Sequence, residues 1–502
     1  MEFNYIIVQA GGKGTRMEHL TRNKPKALVP INNLPMIFHL FKKYPEKKFI
    51  VIGDYKCDVL RRYLNAFAKG DFKVVDAMGK KGTCGGLSRA LNEIPSNEAF
   101  MLIWSDLILN EDFDVSSIKP NNYVGASLGF ECRWKYEKGV FSEERSSTCG
   151  VAGLFLFKNK QGLDSVPEEG EFVRWLSERD DMEFDTVVLD KTKEYGLISE
   201  YNKLAVSKCR PFNMITVHDD YIEKKGIDAQ GESLAVRERA WYEKTMNLNF
   251  KNLPIIYNLE PLRMEKIRGK NIYEYADLPI EHKKDILKSL ISCLKELHEC
   301  GSAPFDSESY EEAYLGKTFD RLKKVRELVP FANDEFITIN GKKCRNVFGN
   351  EQRLRALFEE IKPERFVFLH GDCTFSNLML RDDKEPVMID PRGYFGKTEF
   401  YGDPAYDWAK LYYSIVGNYD RFNLKDFSLT ISESDVLLEI KSSGWEELED
   451  YFFELLGDEV TRKQIKLIHA IIWLSLTTYA WENYDSICGA FYNGLLYLEE
   501  VL

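Results

Sequence analysis

The stretch LHGDCTFSNLML (369–380) carries His370, Asp372 and Asn377, and VMIDPRG (387–393) follows with Asp390. Phosphoryl transfer from ATP needs a carboxylate that orients the acceptor hydroxyl and takes its proton. It also needs two oxygen ligands for Mg²⁺, with all three groups presented to one point. Asp372 suits the first task, and Asn377 and Asp390 suit the second. A second set opens the chain, where AGGKGTRM (10–17) follows the strand-like YIIVQA (5–10). Gly11, Gly12 and Gly14 let the backbone close on an anion and turn N–H groups toward it, and Lys13 and Arg16 add charge there. KPKALVPI (24–31) brings Lys24 and Lys26 to a proline-stiffened turn. The G-K-[ST] ending of a Walker loop and the G-x-G-x-x-G dinucleotide fingerprint are both absent. Taken alone, the loop reads equally well as a tight turn.

These residues need elements to hold them. Residues 1–205 alternate strand-like runs, such as KFIVIG (48–53) and FMLIWSD (100–106), with helical ones, such as PMIFHLFKKY (35–44) and DVLRRYLNAFAK (58–69). That alternation predicts a mainly parallel sheet covered on both faces, extended by GVAGLFLFK (150–158) and TVVLD (186–190). After about 210 the pattern changes. RPFNMITVHDDYIEKKGI reads as a hairpin turning at Asp219–Asp220, followed by the helix SLAVRERAWYEKTMN and the strand candidates LPIIYNLE and LRMEKIRG. Beyond 280 the chain reads as mostly helical, with FVFLHGD (366–372) and PVMIDPRG (386–393) expected to form a short hairpin. LAVSKCRP (204–211) reads as the join, and the edges of elements within 301–350 are not placed by pattern.

Composition narrows the function classes. At 502 residues the chain exceeds one hydrophobic core, so two domains are expected, 1–205 and 206–502. A net charge of −12 excludes a general nucleic-acid binder. The start lacks a basic leader with an apolar core, and no run approaches the length of a membrane span. The ten cysteines form no C-x-x-C pair, which suits reduced thiols. A cytoplasmic enzyme is the expectation, with small-molecule partners and an oligomeric state that the sequence leaves open.

GGKGTRM followed by KPKALVP resembles the signature of the sugar-nucleotide pyrophosphorylases, nucleotidyltransferases with a GT-A/Rossmann-like α/β fold. KGTCGGLSRAL (81–91), with Gly82 and Gly85, looks like their second glycine-rich segment, and WSDLIL (104–109) looks like their metal-binding strand end. The resemblance implies that Lys13 and Arg16 hold the NTP phosphates, Lys26 the incoming phosphate and Asp106 the Mg²⁺. Glu194 stands where the family usually has the aspartate of an Asp-[Val/Ile]-Gly segment, a departure that leaves its segment readable as an ordinary helix start.

H-G-D-x-x-x-x-N followed by I-D resembles the aminoglycoside phosphotransferase and choline kinase superfamily, of α+β protein-kinase-like fold. That resemblance implies an ATP lysine at Lys224 (or Lys225), a partner at Glu238, an N-lobe over about 206–268 and a C-lobe over about 269–502. It also implies that Asp403 and Asp407 stabilise the catalytic loop. DPRG with YGDPAYDWAKL (401–411) looks closer to kinase-like proteins of capsule and surface-polysaccharide synthesis than to choline kinases. Trp473, Tyr479, Trp481 and Tyr484 read first as core packing, and otherwise as a cage for a quaternary ammonium or a sugar.

Together the two resemblances imply a bifunctional enzyme that uses ATP, Mg²⁺ and a second NTP, with CTP the first choice. Its product would be an NDP-activated sugar or alcohol. CDP-choline synthesis is one alternative, and one active half joined to a non-catalytic binding module is another.

Overall fold

Ile6, Ile7 and Val8 carry no polar side chain among them and are fully buried in the strand Tyr5–Gln9. A run of that kind needs cover on both faces, which a central strand supplies. In the computed structural model, which describes residues 1–204 and 213–502, this strand lies between Phe100–Trp104 and Lys48–Gly53 in a nine-stranded sheet. The expected join lies outside the described residues, apart from Leu204.

Tyr5–Gln9 pairs parallel with both neighbours, and Lys48–Gly53 pairs parallel with Asp71–Asp76. Gly150–Phe157 adds antiparallel to Phe100–Trp104, and Asp185–Leu189 joins through Tyr123–Ser127. The chain first builds outward from Tyr5–Gln9 to 48–53 and 71–76, then returns to lay 100–104 on the other side. Strand order therefore reverses between Tyr5–Gln9 and Phe100–Trp104. The carboxyl ends at such a reversal are where open α/β sheets hold ligands. The loops that follow these strands here are Gly11–Gly12 and Ser105–Asp106.

By its internal contacts the chain divides into two units, Met1–Val206 with Glu482–Tyr484, and Ser207–Trp481 with Asp485–Leu502. The second unit opens on a four-stranded antiparallel sheet, ordered Asn213–Val217, Tyr221–Gly226, Leu262–Glu265, Ile256–Leu259. The helix Ala229–Asn247 follows the hairpin, capped by Asp228, whose carboxylate accepts from Gly231 N at 2.7 Å. The indole of Trp241 on that helix is fully buried and donates to Leu369 O at 2.7 Å, directly before the His370–Asp372 turn.

Two readings of this half need correction. FVFLHGD does not pair with PVMIDPRG. The hairpin joins Leu378–Arg381 to Glu385–Met388, while Arg365–Phe368 pairs with Ser302–Pro304 and Tyr401–Gly402. The polar turn Asp382–Asp383, with both residues at positive φ, closes the hairpin and leaves Asn377 and Asp390 just outside its two ends. The mostly helical remainder also contains a small sheet of Lys342–Arg345, Phe336–Ile339, Val436–Ile440 and Phe427–Ile431. Its two hairpins lie far apart in sequence and meet through one parallel pair, Ile339 with Val436, which no local pattern announces. Among the described residues no helix is long and apolar enough to cross a membrane.

Candidate active sites

In the first unit a cavity of about 420 Å³ lies over the strand ends, with Gly11, Gly12, Lys13, Lys26, Gly82 and Asp106 in its wall. A side chain at Gly12 would meet nothing within 4 Å, so the backbone there faces open space. Gly14 and Gly85 are not part of the wall. Gly14 stands at φ +63° and starts the 3₁₀ segment Thr15–Thr21, while a Cβ at Gly85 would lie 2.3 Å from Glu168 O. Gly82 does both jobs: it lines the cavity and, at φ +83°, passes so close to Gly170 O that a Cβ would sit 2.2 Å from it.

Lys26 is ion-paired with Asp106, both nearly buried, whereas Lys24 lies in the interior away from the cavity. Glu194 reaches the same place by pairing: Lys193–Glu194 runs antiparallel to Leu107–Ile108, and Tyr195 N donates to Asp106 O at 3.0 Å. Glu194 itself ends that short strand, and the helical turn Ile198–Tyr201 begins four residues further on. Burial raises the Glu194 pKa, the Asp106 charge raises it further, and Lys26 and Arg16 oppose both. Arg16 thus belongs with Glu194 rather than with the cavity wall. Sequence reasoning missed Asp54, which lines the cavity and accepts from Gly79 N at 3.0 Å. Its position at the end of KFIVIG, like that of Asp106 after its own strand, was an available signal.

In the second unit Asp372 bonds to groups from two elements. Lys410 Nζ lies 2.9 Å from Asp372 Oδ1, and Asn377 Nδ2 donates to Asp372 Oδ2 at 3.1 Å and to its carbonyl at 2.8 Å. Burial alone would push the Asp372 pKa up. The Lys410 ammonium and Arg392 guanidinium outweigh it and hold the carboxyl well below the usual carboxylate range. Behind the turn, fully buried Asp407 accepts from His370 N at 2.9 Å and Gly371 N at 2.8 Å, and His298 Nε2 lies 3.1 Å away. These bonds fix the loop that carries Asp372.

Lys224 meets Glu238 at 2.8 Å and Asp390 at 2.6 Å, while Lys225 points to solvent. Burial would lower the Lys224 pKa, but its two carboxylates raise it instead, so the ammonium stays charged. Ile389 N donates to Asn377 O at 3.0 Å, which keeps Asn377 and Asp390 side by side. The structure therefore gathers Asp372, Asn377, Asp390, Lys224 and Glu238 about one place. Of the aromatic cluster, Trp473 is fully buried and donates to His469 Nε2 at 2.9 Å, and Tyr484 is buried as well. Tyr479 lines a cavity beside Asp372.

A family model of the MobA-like NTP transferase domain matches residues 6–115, and one of the phosphotransferase enzyme family matches residues 259–428. The chain carries an NTP-transferase domain and a phosphotransferase domain. Both families are enzymes, so the protein is an enzyme. Its NTP-transferase region is 32% identical over 120 residues to a D-glycero-α-D-manno-heptose 1-phosphate guanylyltransferase of Campylobacter jejuni, covering 23% of this chain and 52% of the relative. It is 31% identical over 108 residues to the UTP–glucose-1-phosphate uridylyltransferase AglF of Haloferax volcanii, covering 21% and 44%. The chain spans about half the length of these curated relatives. Among solved structures, HddC from Yersinia pseudotuberculosis is 19% identical with a TM-score of 0.35, covering 40% of this chain and 97% of that one.

Enzymes of these two classes commonly use a divalent cation. Among the described residues no three His, Cys, Asp or Glu side chains gather as a self-sufficient metal cage. Mg²⁺ does not need one, since it is held by one or two protein oxygens together with water and substrate phosphates. Asp106 beside Glu194 in the NTP-transferase domain is such an all-oxygen pair. In the phosphotransferase domain Asn377 commits its amide nitrogen to Asp372, which leaves its oxygen for a cation next to Asp390.

Asp403 caps the helix Pro404–Ile415, accepting from Ala405 N and from the Tyr314 hydroxyl, each at 2.9 Å. Burial pushes its pKa up to about 6. Unfolded, the group ionises near pH 4, so the folded state holds the extra proton between the two values. Stability is therefore lost as pH rises through that window. Asp403→Asn keeps a capping oxygen and cannot ionise. Its melting temperature relative to the parent should improve from pH 4 to pH 7, by about 3 kcal/mol in stability terms. A difference that stays constant with pH would show that Asp403 is ionised throughout.

Proposed function

We propose that the protein is a bifunctional enzyme acting in the cytoplasm. It phosphorylates a small hydroxylated acceptor with ATP, then couples the acceptor phosphate to a nucleoside triphosphate. The products are pyrophosphate and an NDP-activated sugar or alcohol, destined for surface polysaccharide synthesis. The observation that supports this reading is that one chain holds two clusters, one in each unit, that combine oxygen donors with lysines. The curated relatives, whose names are those of sugar-phosphate nucleotidyltransferases, support the second step.

In the first step the acceptor hydroxyl oxygen attacks the γ-phosphorus of ATP, the bond to the β–γ bridging oxygen breaks, and ADP leaves. Asp372, steadied by Asn377 and Lys410, orients the hydroxyl and receives its proton. Lys224, held by Glu238, meets the ATP phosphates. In the second step an oxygen of the acceptor phosphate attacks the α-phosphorus of the second triphosphate, and pyrophosphate leaves. Lys13 and the Gly11–Gly12 backbone hold the triphosphate and Lys26 the incoming phosphate. Mg²⁺, bound at Asp106 with Glu194 and at Asn377 with Asp390, would supply positive charge against the phosphate oxygens. The work of the chain is positioning and charge compensation, with no covalent intermediate.

The test is mass spectrometry of products from the full chain, Mg²⁺, pooled acceptors and each NTP with and without ATP, CTP being the first to try. An acceptor phosphate should appear with ATP alone, and a nucleotide-linked acceptor only when a second NTP is added. Free acceptor converted without ATP would remove the ordered scheme. Pyrophosphate absent from every combination would leave the first domain as a binding module.

A further inference from the structure

Four cations line the small cavity that contains Asp372: Lys317, Arg321, Arg392 and Lys410. Among the described residues Asp372 is the one carboxylate in that wall. Its charge is already shared, with Lys410 at 2.9 Å and Arg392 at 4.0 Å. Lys317 and Arg321 have no carboxylate within ion-pair distance among the described residues. Arg321 donates to Ser475 O at 2.7 Å and Ser475 Oγ at 3.0 Å, and Lys317 lies over the Tyr406 ring at 5.4 Å. The two stand one turn apart on the helix Lys317–Val325, so they share a face. A π-helical turn, Glu312–Gly316, leads directly into Lys317. Insertions of that kind persist mainly at functional sites.

Crowding like charges is costly unless something neutralises them. Burial lowers the Lys317 pKa, and Arg392, Arg321 and Lys410 lower it further, with only Glu312 opposing. A cationic acceptor such as choline would add to this excess, and a neutral polyol would leave it unrelieved. An anion would relieve it through charge-assisted hydrogen bonds.

We infer that the phosphotransferase domain takes an anionic alcohol as acceptor, a compact hydroxylated molecule whose carboxylate or phosphate sits between Lys317 and Arg321. Its hydroxyl then lies toward Asp372, the neighbouring wall residue, and is the atom phosphorylated. The remaining phenols of the wall, Tyr406 and Tyr479 among them, suit the other hydroxyls of such a molecule. The cavity volume, about 50 Å³, selects for a small acceptor. This inference rests on the kinase reading of the domain and narrows it to one substrate class.

The test is calorimetric binding to the full chain, with Mg²⁺ and a non-hydrolysable ATP analogue present, of glycerate, glycerol 3-phosphate, glycerol and choline. ADP formation is measured in parallel with ATP. Glycerate or glycerol 3-phosphate should bind about 10- to 100-fold more tightly than glycerol, the range expected for hydrogen bonds to charged groups. Which of the two wins identifies the anion. Lys317→Met, which removes a repelled charge and should melt no lower than the parent, should erase most of that preference. Arg321→Lys should keep part of it. Equal binding of glycerol and the anions, tighter binding of choline, or no binding of either anion at millimolar concentration would overturn the inference. Charge-dependent binding without ADP from any acceptor would sink the kinase reading and leave the anion site standing.

Discussion

Asp372→Asn should lower ATP-dependent phosphorylation of the acceptor by about 10²- to 10⁴-fold, the usual contribution of a positioned acid–base group. The change is nearly isosteric, and the amide still accepts from Asn377, so the loop held by Asp407 should keep its shape. What is lost is the charge. The carboxylate lies 2.9 Å from Lys410 and is held well below the ordinary carboxylate range. A group held that low takes a proton only late in the reaction, so its main work is to orient the hydroxyl for in-line attack. The parent rate should accordingly show no acid limb from Asp372 anywhere near neutrality. ATP affinity should hardly move, because Lys224, Glu238 and Asp390 are untouched. Stability should fall, since Lys410 and Arg392 would be left facing each other without a counter-charge. Single-turnover kinetics with a filter-binding measurement of ATP separates these effects. A variant that phosphorylates at the parent rate would show that another group carries the proton.

Asp106→Asn should lower pyrophosphate release by about 10²- to 10³-fold, the scale on which loss of one preorganised electrostatic group at a reacting centre is felt. Two consequences follow at its neighbours. Lys26 loses its ion-pair partner, and Glu194 loses one of the three influences that raise its pKa, keeping burial and the Glu200 charge. The Glu194 carboxyl should therefore ionise at lower pH in the variant, and residual activity should persist further into acid than in the parent. ADP formation should be unchanged, because the substitution lies in the other contact unit. Supplying acceptor phosphate directly should in turn restore pyrophosphate release to the Asp372→Asn protein. Equal loss of both activities in either variant would contradict two separate centres.

Much of this architecture could be read from local pattern. The β-branched runs YIIVQA and KFIVIG are core strands because nothing polar interrupts them, and alternation with helices predicts the parallel pairing. The hairpin through Asp219–Asp220 and the helix bearing Glu238 are equally local features. Misreadings arose where pairing is not local. FVFL and PVMI are both apolar strands, and either can pair with many partners. The true hairpin was marked by the polar turn RDDKE (381–385) rather than by the strands. The sheet that joins Phe336–Ile339 to Val436–Ile440 was missed for the same reason.

The chain of residues alone marked two clusters of glycines, lysines and acids, at 10–26 with Asp106 and at 370–390, because spacing along a single turn is a local property. Only the tertiary structure decided what surrounds them. It placed Glu194 beside Asp106 through a short strand pair and chose Lys224 over Lys225 by burying it between two carboxylates. It also brought Lys317, Arg321, Arg392 and Lys410 from three separate segments to one cavity. Charge in a pocket is summed over residues distant in sequence, so its sign appears only once the chain has folded.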